Sequence, residues 1–255
     1  MGSSKSGRAP GVFNISAELL KAGGVTLLQE LAAVFRQILV NRVIPADWRQ
    51  RIIIPTFKGQ GDYGECGGHS STSLLSEPDK VFARVVLDKI RPHLVVYQRP
   101  KQSGFTPKKS TVDHILALRV LKERRGEFLR TFYRAYVDFQ KKFDSVHRVT
   151  LWELLRLRGI PREILELIRA LYTSTESAVR WDGDTSDFVP VETGVRQGCV
   201  FAPSLFSDSV CMDRLMGRIV GSGFRGTSFG EKIFTDLNFC NDAVIFASRR
   251  TCSAW

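Results

Sequence analysis

Hydrophobic residues recur every three or four positions in several long stretches of the chain, the spacing that places them on one face of a helix. Helices are predicted on this basis over residues 15–40, from Pro78 to Pro92, over 111–125, over 148–158, from Pro161 onward and over 203–220. In the second of these helices, the residues expected to face inward are Val81, Phe82, Val85, Val86 and Ile90. Gly126 is placed to end the third helix.

Short runs rich in β-branched and aromatic residues predict the strands. The run "RIIIPTF" at 51–57 indicates a short buried strand, and "FLRTFYRAYVDF" at 128–139 indicates a central strand. Hairpins are predicted over 175–194 and over 236–247. Residues 58–72 are rich in glycine and poor in apolar side chains, which indicates a loop. Strands and helices do not alternate regularly, so the pattern predicts an α+β fold.

The composition is that of a folded protein with a basic surface. The chain has 255 residues, 43% of them hydrophobic, which is enough to bury a core in one large domain or two lobes. This excludes an intrinsically disordered chain. The 37 Lys and Arg residues outnumber the 26 Asp and Glu residues, and the net charge of +11 favours a polyanionic partner. Nucleic acid is the first candidate partner, and an anionic membrane surface is the second.

Cysteine usage and hydropathy bear on the cellular compartment. The cysteines form no close C-x-x-C pair, so neither a disulfide framework nor a zinc site is indicated, and a reducing compartment fits best. No apolar run approaches the ~18 to 20 residues of a membrane span. Residues 1–10 are expected to be disordered and lack the apolar segment of a signal peptide. We therefore expect an intracellular protein, nuclear or cytoplasmic, with no membrane contact; the sequence indicates no protein partner.

Two carboxylates follow apolar strand segments that lie far apart in the sequence. Asp138 ends the predicted strand "AYVD", and Asp242 lies with Asn241 at the tip of the second hairpin. An ionised carboxylate at such a place needs a cation, a donor or water. Two of them would suit Mg²⁺, which binds a few carboxylates together with phosphate oxygens in two-metal phosphoryl transfer. A turn-forming or capping Asp is the more common role, and spacing alone leaves both interpretations open.

Four motifs in a fixed order favour the catalytic interpretation. They are "QSGFTPKKST" at 102–111, "YVDFQKKFDSVHR" at 136–148, "GVRQGCVFAPSLF" at 194–206 and "FCNDAVIF" at 239–246. Together they closely resemble the reverse transcriptases of non-LTR retrotransposons. The likeness extends over residues 11–248, which is essentially the whole chain.

The resemblance implies a fold, a reaction and partners. The family has a right-hand polymerase fold, so residues 11–127 are expected to be mainly fingers and 128–248 mainly palm, followed by a short irregular tail at 249–255. The implied activity is RNA-directed DNA polymerisation. The implied partners are an RNA template, a DNA primer and dNTPs, and the implied cofactor is Mg²⁺ or Mn²⁺.

Individual residues match the family's functional positions. Asp138 and Asp242 match metal-binding carboxylates of two catalytic motifs. Phe143 matches the aromatic steric gate, a ring placed where a ribonucleotide would carry its 2′-hydroxyl. Gln197 and Gly198 match a pair beneath the incoming nucleotide, where a glycine permits close approach.

Basic residues near these motifs are further candidates. Lys58 and Arg196 are expected to contact the nucleotide, and Lys109 and Arg148 to contact the template or a phosphate. For Arg196 and Lys109, an ordinary solvated basic side chain is about as good an interpretation for each taken singly.

Three departures from the family pattern predict an impaired enzyme. Asn241 replaces the Asp that joins Asp138 in holding the metal ions, and the lost charge is nominally worth about 4 kcal/mol at about 4 Å in a partly buried site. Ser70 stands where the family has an Arg expected to grip the triphosphate. The sequence stops soon after the second hairpin, so we expect the thumb that positions the primer to be absent.

These features leave three hypotheses open. The first is a reverse transcriptase fingers and palm module that is catalytically impaired or inactive, so the sequence does not decide whether the chain is an enzyme. The second is a basic RNA- or DNA-binding module without chemistry, whose binding would depend steeply on salt. The third is a non-functional retrotransposon remnant whose incomplete fold exposes apolar surface.

Overall fold

Helices and strands occupy most of the described chain. The computed structural model describes residues 7, 9, 11–12, 14–97, 99, 103, 109–128, 133–138, 143–205, 211–221, 226–229, 232–239 and 242–247. The helices are α1 Ala17–Ala22, α2 Gly24–Asn41, α3 Glu77–Val95, α4 Thr111–Glu127, α5 Arg148–Leu157, α6 Arg162–Tyr172, α7 Phe201–Pro203 and α8 Cys211–Gly221. The strands are β1 Gln50–Phe57, β2 His69–Leu74, β3 Tyr133–Asp138, β4 Glu176–Trp181, β5 Asp184–Thr185, β6 Val189–Pro190, β7 Thr227–Phe229, β8 Lys232–Phe234, β9 Asp236–Phe239 and β10 Asp242–Ala247.

The chain divides into two compact units that alternate along the sequence. The first unit consists of residues 1–91 and 147–202, and the second of residues 92–146 and 203–255. None of the helices in the described residues is long and apolar enough to cross a membrane.

A mixed sheet organises the first unit. Its strand order is β2-β1-β4-β5, with β6 also paired to β4. β1 is antiparallel to β2 and parallel to β4, so it is paired along both edges and its Ile52 is almost completely buried. The buried Arg51 of β1 donates a hydrogen bond from Nε to Ser177 Oγ of β4 at 2.6 Å. This contact satisfies a polar group that would be costly to bury alone.

Three aromatic rings pack together in the core of the first unit. Phe82 of α3 lies 5.1 Å from Phe35 of α2 and 5.6 Å from Trp48, measured between ring centroids. Phe35 and Trp48 are 6.1 Å apart and meet nearly edge to face. Because Phe82 contacts both of the other rings and is fully buried, it connects α2 and α3 to the turn that precedes β1.

A three-stranded antiparallel sheet organises the second unit. β10 lies between β3 and β9. Leu121 of α4 packs against Leu237 of β9 and against Val244 and Phe246 of β10. Val244 and Phe246 lie two positions apart and therefore on one face of β10, so α4 covers that face of the sheet.

The structure confirms most of the elements that the sequence pattern predicts. The helices α2, α4, α5 and α6 and the strand β1 lie where the hydrophobic spacing places them. The two predicted hairpins are present as the pairs β4/β5 and β9/β10. The mixed order of helices and strands is that of the expected α+β fold.

Six expectations about the elements were wrong. The single helix predicted over 15–40 is two helices, α1 and α2, with Gly23 between them. Residues 69–72 belong to strand β2 rather than to a loop, because the unpaired edge of β1 supplies a ladder for this polar segment. α3 continues past Pro92 to Val95, and α4 passes Gly126 to Glu127. Val85 is 38% exposed although it was expected to face inward. β3 is an edge strand, not a central one, in the described part of its sheet.

Truncation of Phe82 should weaken the first unit strongly. We expect Phe82→Ala to lower the free energy of unfolding by about 3–5 kcal/mol, since it leaves a cavity among three rings. Val85→Ala, three residues along the same helix, should cost about 0.5 kcal/mol or less because the side chain already meets water. Urea denaturation followed by tryptophan fluorescence measures both changes, and equal losses for the two variants would contradict the assigned core.

Candidate active site

Two carboxylates face each other across the sheet of the second unit. In the antiparallel ladder between β3 and β10, Asp138 is the direct partner of Asp242. Directly opposed residues of such a ladder project from the same face, with Cβ atoms about 4.5–5.5 Å apart. Both residues are exposed. The two strand ends that the sequence singles out are therefore brought together by the register of the sheet.

Packing of β10 determines which face carries these carboxylates. Asp242, Val244 and Phe246 occupy alternate positions and so share one face of the strand. Val244 and Phe246 are buried against α4. The end of the same face carries Asp242 and, across the ladder, Asp138. Like charges directly opposite each other destabilise a sheet, so this end of the ladder favours a cation.

The oxygen donors at this end suit a hard divalent ion. Mg²⁺ is commonly bound by one or two carboxylates together with waters and substrate phosphates. The pair Asp138 and Asp242 meets that requirement. Among the described residues there is no cluster of three or more His, Cys, Asp and Glu side chains suited to a metal ion. Asn241, where the resemblance implies that an Asp has been lost, lies outside the described residues.

A buried ion pair stabilises the neighbouring strand, and sequence inspection did not find it. Arg99 donates two hydrogen bonds to the carboxylate of Asp236 on β9, each 2.9 Å long. The Asp236 side chain is fully buried and also accepts from Thr235 Oγ1 at 2.5 Å and from Asn238 Nδ2 at 2.6 Å. These donors compensate the burial of a charge. Asp236 therefore has a structural role beside the exposed pair.

The Gln197–Gly198 turn lies against β2 in the first unit. Ser71 Oγ donates to Gln197 Oε1 at 3.0 Å, and Gln197 Nε2 donates to the Ser71 carbonyl at 3.3 Å. Gly198 has φ +81°, and a Cβ added there would lie 2.9 Å from the Ser73 carbonyl oxygen. Both the backbone conformation and the available space therefore require glycine.

A cleft of about 1050 Å³ opens beside this turn within the first unit. Gln197 and Gly198 line it together with Ser71 of β2. Lys80 and Arg84 of α3 also line it together with the carboxylates Glu77 and Asp88, and Lys80 is paired with Glu77 at 2.5 Å, so this wall carries charges of both signs. These two cations were not singled out from the sequence, where nothing distinguishes them from other basic residues of a helix.

Arg196 was expected to contact a nucleotide, but it is buried in an ion pair instead. Its Nη2 donates to Asp79 Oδ2 at 2.5 Å and to the Trp48 carbonyl at 2.6 Å, and Nη1 lies 3.4 Å from Asp79 Oδ1. The two side chains are 3% and 0% exposed. Arg196 directly precedes Gln197, so the pair fixes the start of the turn to α3.

Two side chains near this pair, Tyr172 and Cys199, are kept protonated and therefore neutral by burial. Burial raises the pKa of the Tyr172 hydroxyl, and it raises the pKa of the Cys199 thiol to about 11. Burial alone would lower the pKa of Arg196, but the Asp79 carboxylate outweighs this and raises it. The guanidinium therefore stays charged, and Cys199 behaves as the small buried side chain that its apolar sequence context indicates.

Arg148 was expected to contact a template or phosphate, and its guanidinium has internal partners instead. It donates to the backbone carbonyls of Gly194 at 3.0 Å and Tyr172 at 2.8 Å. It also donates to Thr175 Oγ1 at 3.1 Å, and it lies 5.4 Å from the centre of the Tyr172 ring. This half-buried side chain joins α5 and α6 to the segment before the Gln197 turn.

The remaining candidates lie in varied surroundings. Lys58 is exposed and donates to the Gly67 carbonyl at 3.3 Å. Ser70 is exposed on β2 and donates to the Thr56 carbonyl at 3.2 Å. Lys109 is exposed shortly before α4, and Phe143 is half-buried in the turn at 143–145, within the motif at 136–148. Their roles toward a substrate stay predictions.

Removal of either member of the Asp79–Arg196 pair should be costly. We expect Asp79→Ala and Arg196→Met each to lower the free energy of unfolding by about 3–5 kcal/mol, because the partner charge stays buried without compensation. The exposed Arg119–Glu123 pair on α4 provides the matched control, and Arg119→Ala should cost less than about 1 kcal/mol. Chemical denaturation measures the series. A loss below about 1 kcal/mol in Asp79→Ala would contradict the assigned role.

Most of the chain matches a known protein family. Residues 64–241 match the family model described as reverse transcriptase (RNA-dependent DNA polymerase). This range includes β3, with Asp138, and the turn that carries Gln197 and Gly198.

Curated relatives come from mobile elements of animals. The chain is 31% identical over 152 residues to the Pol polyprotein of the type-2 retrotransposable element R2DM of Drosophila melanogaster, a match that covers 59% of this chain and 14% of that protein. It is 26% identical over 203 residues to the RNA-directed DNA polymerase from the mobile element jockey of the same species, covering 78% and 22% of the two chains. The chain thus spans less than a quarter of the length of these two relatives.

A solved structure shares the fold. The apo telomerase of Candida tropicalis, truncated from its C-terminal domain, superposes with a TM-score of 0.54 at 13% sequence identity. The superposition covers 89% of this chain and 50% of that one.

Proposed function

Because the chain belongs to the reverse transcriptase (RNA-dependent DNA polymerase) family, we propose that it is a fingers and palm module of a non-LTR retrotransposon polymerase whose nucleotidyl transfer is impaired. Residues 11–127 would be mainly fingers and 128–248 mainly palm. The observation that carries the proposal is the direct pairing of Asp138 with Asp242 across the β3/β10 ladder. It is the arrangement expected if the two motifs contribute to one metal-binding edge.

Asp138 and Asp242 would hold Mg²⁺ or Mn²⁺ at this edge. The ions, when bound, would activate the attacking 3′-hydroxyl and neutralise the developing charge on the phosphates. The carboxylates would hold these ions at the end of the sheet face that α4 covers. The substrates would be an RNA template, a DNA primer and dNTPs.

The Gln197–Gly198 turn would contribute to nucleotide binding. Gly198 lets the turn pack closely against β2, where any side chain would collide with the Ser73 carbonyl, and this packing holds Gln197 beside the cleft. The amide oxygen and the amide nitrogen of Gln197 both form hydrogen bonds with Ser71, so the orientation of this side chain is set before any ligand binds. Preorganised groups lose less freedom on binding. Phe143 would act as the steric gate, and Lys58 would add charge toward the phosphates.

Two substitutions account for the proposed impairment. Asn241 removes one negative charge from the metal-binding edge, nominally about 4 kcal/mol at about 4 Å and an effective dielectric constant near 20. Ser70 has a neutral hydroxyl that donates to the β1 backbone, whereas an Arg at this position would supply a bidentate cation for a triphosphate. The first change weakens metal binding, and the second weakens nucleotide binding.

Primer extension on an RNA template tests the proposal. We expect little extension by the wild-type chain with Mg²⁺ or Mn²⁺, and an increase of at least about tenfold in Asn241→Asp because the missing charge is restored. Asp138→Ala in the Asn241→Asp background should abolish the gain. The exposed Asp187 lies in the first unit, and Asp187→Ala in the same background should leave the gain unchanged.

Each outcome of this series has a clear meaning. Efficient extension by the wild type, equal to that of Asn241→Asp, would contradict the impairment, and absence of extension in both would contradict the assignment of the impairment to position 241. Extension that survives Asp138→Ala would contradict the role of the carboxylate pair.

A second candidate function is nucleic-acid binding without chemistry. The net charge of +11 favours it, since phosphate contacts supply most of the affinity of such binding. This function would be favoured over the first if no variant extends a primer while RNA is still retained on a filter in a salt-dependent way.

A further inference from the structure

Four aromatic side chains form a cluster at one end of the sheet in the first unit. They are Phe57 of β1, Tyr63 of the following loop, His69 of β2 and Trp181 of β4. The His69 ring lies 5.4 Å from each of the other three, measured between centroids. Tyr63 lies 5.2 Å from Phe57 and 5.6 Å from Trp181. These are the distances of favourable tilted and edge-to-face aromatic pairs.

The cluster fixes a loop and at the same time presents rings to solvent. His69 is the ladder partner of Phe57, so their side chains share a face. Tyr63 joins them from the glycine-rich segment between β1 and β2, yet it is 60% exposed, and Trp181 is 42% exposed. Rings that meet others at their edges hold a fixed orientation while part of their surface stays open. Such rigid, exposed aromatic surface binds planar partners with little loss of conformational freedom.

The cluster lies on the same face of β2 as Ser71, which holds the Gln197 turn in place. His69 and Ser71 are two positions apart on β2 and therefore project to one side. Ser71 exchanges hydrogen bonds with Gln197, the residue proposed to contact a nucleotide. Two residues of a strand span about 7 Å, the rise of about two stacked bases. An unpaired strand that passes Gln197 would therefore reach the rings within a few nucleotides.

The net charge of the chain favours a nucleic acid over an apolar partner, although the charges beside the cluster are of both signs. Lys58 follows Phe57 and is exposed, and Asp62, Asp182 and Asp184 near Tyr63 and Trp181 are exposed as well. The chain as a whole carries a net charge of +11. Aromatic rings combined with cations bind unpaired nucleic acid irrespective of sequence, since every base has a face that stacks.

We propose that Tyr63 and Trp181, supported by Phe57 and His69, form a stacking site for unpaired bases of an RNA strand. The site rests on the proposed function in that the strand would be the template. It adds a binding element that none of the catalytic motifs contains. Tyr63 and Trp181 supply the stacking faces, and Phe57 and His69 hold them in place.

Binding of a short unpaired RNA in EDTA tests this site without requiring catalysis. We expect Trp181→Leu and Tyr63→Leu each to weaken binding about tenfold, and Trp181→Phe to retain most of the affinity because it keeps a ring. The slope of log affinity against log salt should be unchanged in these variants, since no phosphate contact is lost. Tyr97→Leu, an exposed ring outside the cluster, should bind as the wild type does.

Two further measurements separate stacking from a purely structural role. The RNA should quench tryptophan fluorescence in the wild type, and Trp181→Phe should lose this quenching while it still binds. An abasic strand of the same length should bind about tenfold more weakly than the RNA and equally to the wild type and Trp181→Leu. A DNA strand of the same sequence shows whether the site distinguishes RNA from DNA; tighter binding of DNA would overturn the assignment to RNA.

The results also distinguish failure of this site from failure of the proposed function. Equal binding of the abasic and the base-bearing strand by the wild type would refute the stacking site and leave the polymerase proposal standing. Absence of binding to either strand at any salt concentration would refute both.

Discussion

The register of the β3/β10 ladder places Asp138 directly opposite Asp242 at one end of the sheet, and packing in the second unit holds them there. Six residue pairs join the two strands, and the face of β10 that carries Asp242 is fixed by Val244 and Phe246 against α4. Opposed like charges cost stability in a sheet, so a fold that retains them gains something else from them. In a polymerase of this family, that gain would be a divalent ion.

Under the proposed function, an Asn in place of the family's Asp at position 241 would have two opposite consequences. A third carboxylate in the proposed metal site would increase repulsion in the absence of metal, and Asn would remove that cost. The same change would remove a charge from the proposed metal site. A chain no longer selected for catalysis would accumulate such a stabilising, inactivating change, in line with the general trade-off between stability and activity.

Sequence reasoning singled out the two carboxylates that the sheet register brings together, but it did not anticipate the internal partners of two arginines. Asp138 and Asp242 each end or begin an apolar strand, a local signal, and the resemblance connected them. Arg196 and Arg148 carry no local signal of burial, because their acceptors, Asp79 and the carbonyls of Tyr172 and Gly194, come from distant segments or from the backbone. The cluster of Tyr63, His69 and Trp181 was missed for the same reason, since it forms only when β2 and β4 flank β1. The sequence pattern did not predict strand β2, because its polar residues adopt the strand conformation by pairing with the edge of β1.

The most direct test of the central claim is the thermal unfolding midpoint of the wild type and Asn241→Asp, each measured in EDTA and with Mn²⁺. The account predicts that Asn241→Asp unfolds at a lower temperature than the wild type in EDTA. With Mn²⁺ its midpoint should rise more than that of the wild type, since tighter binding to the folded state stabilises it. Asp138→Ala in the Asn241→Asp background should lose most of that rise. Equal responses of the wild type and Asn241→Asp to Mn²⁺ would contradict a role of position 241 at the edge, and a rise that survives Asp138→Ala would contradict a metal-binding edge formed by Asp138 and Asp242.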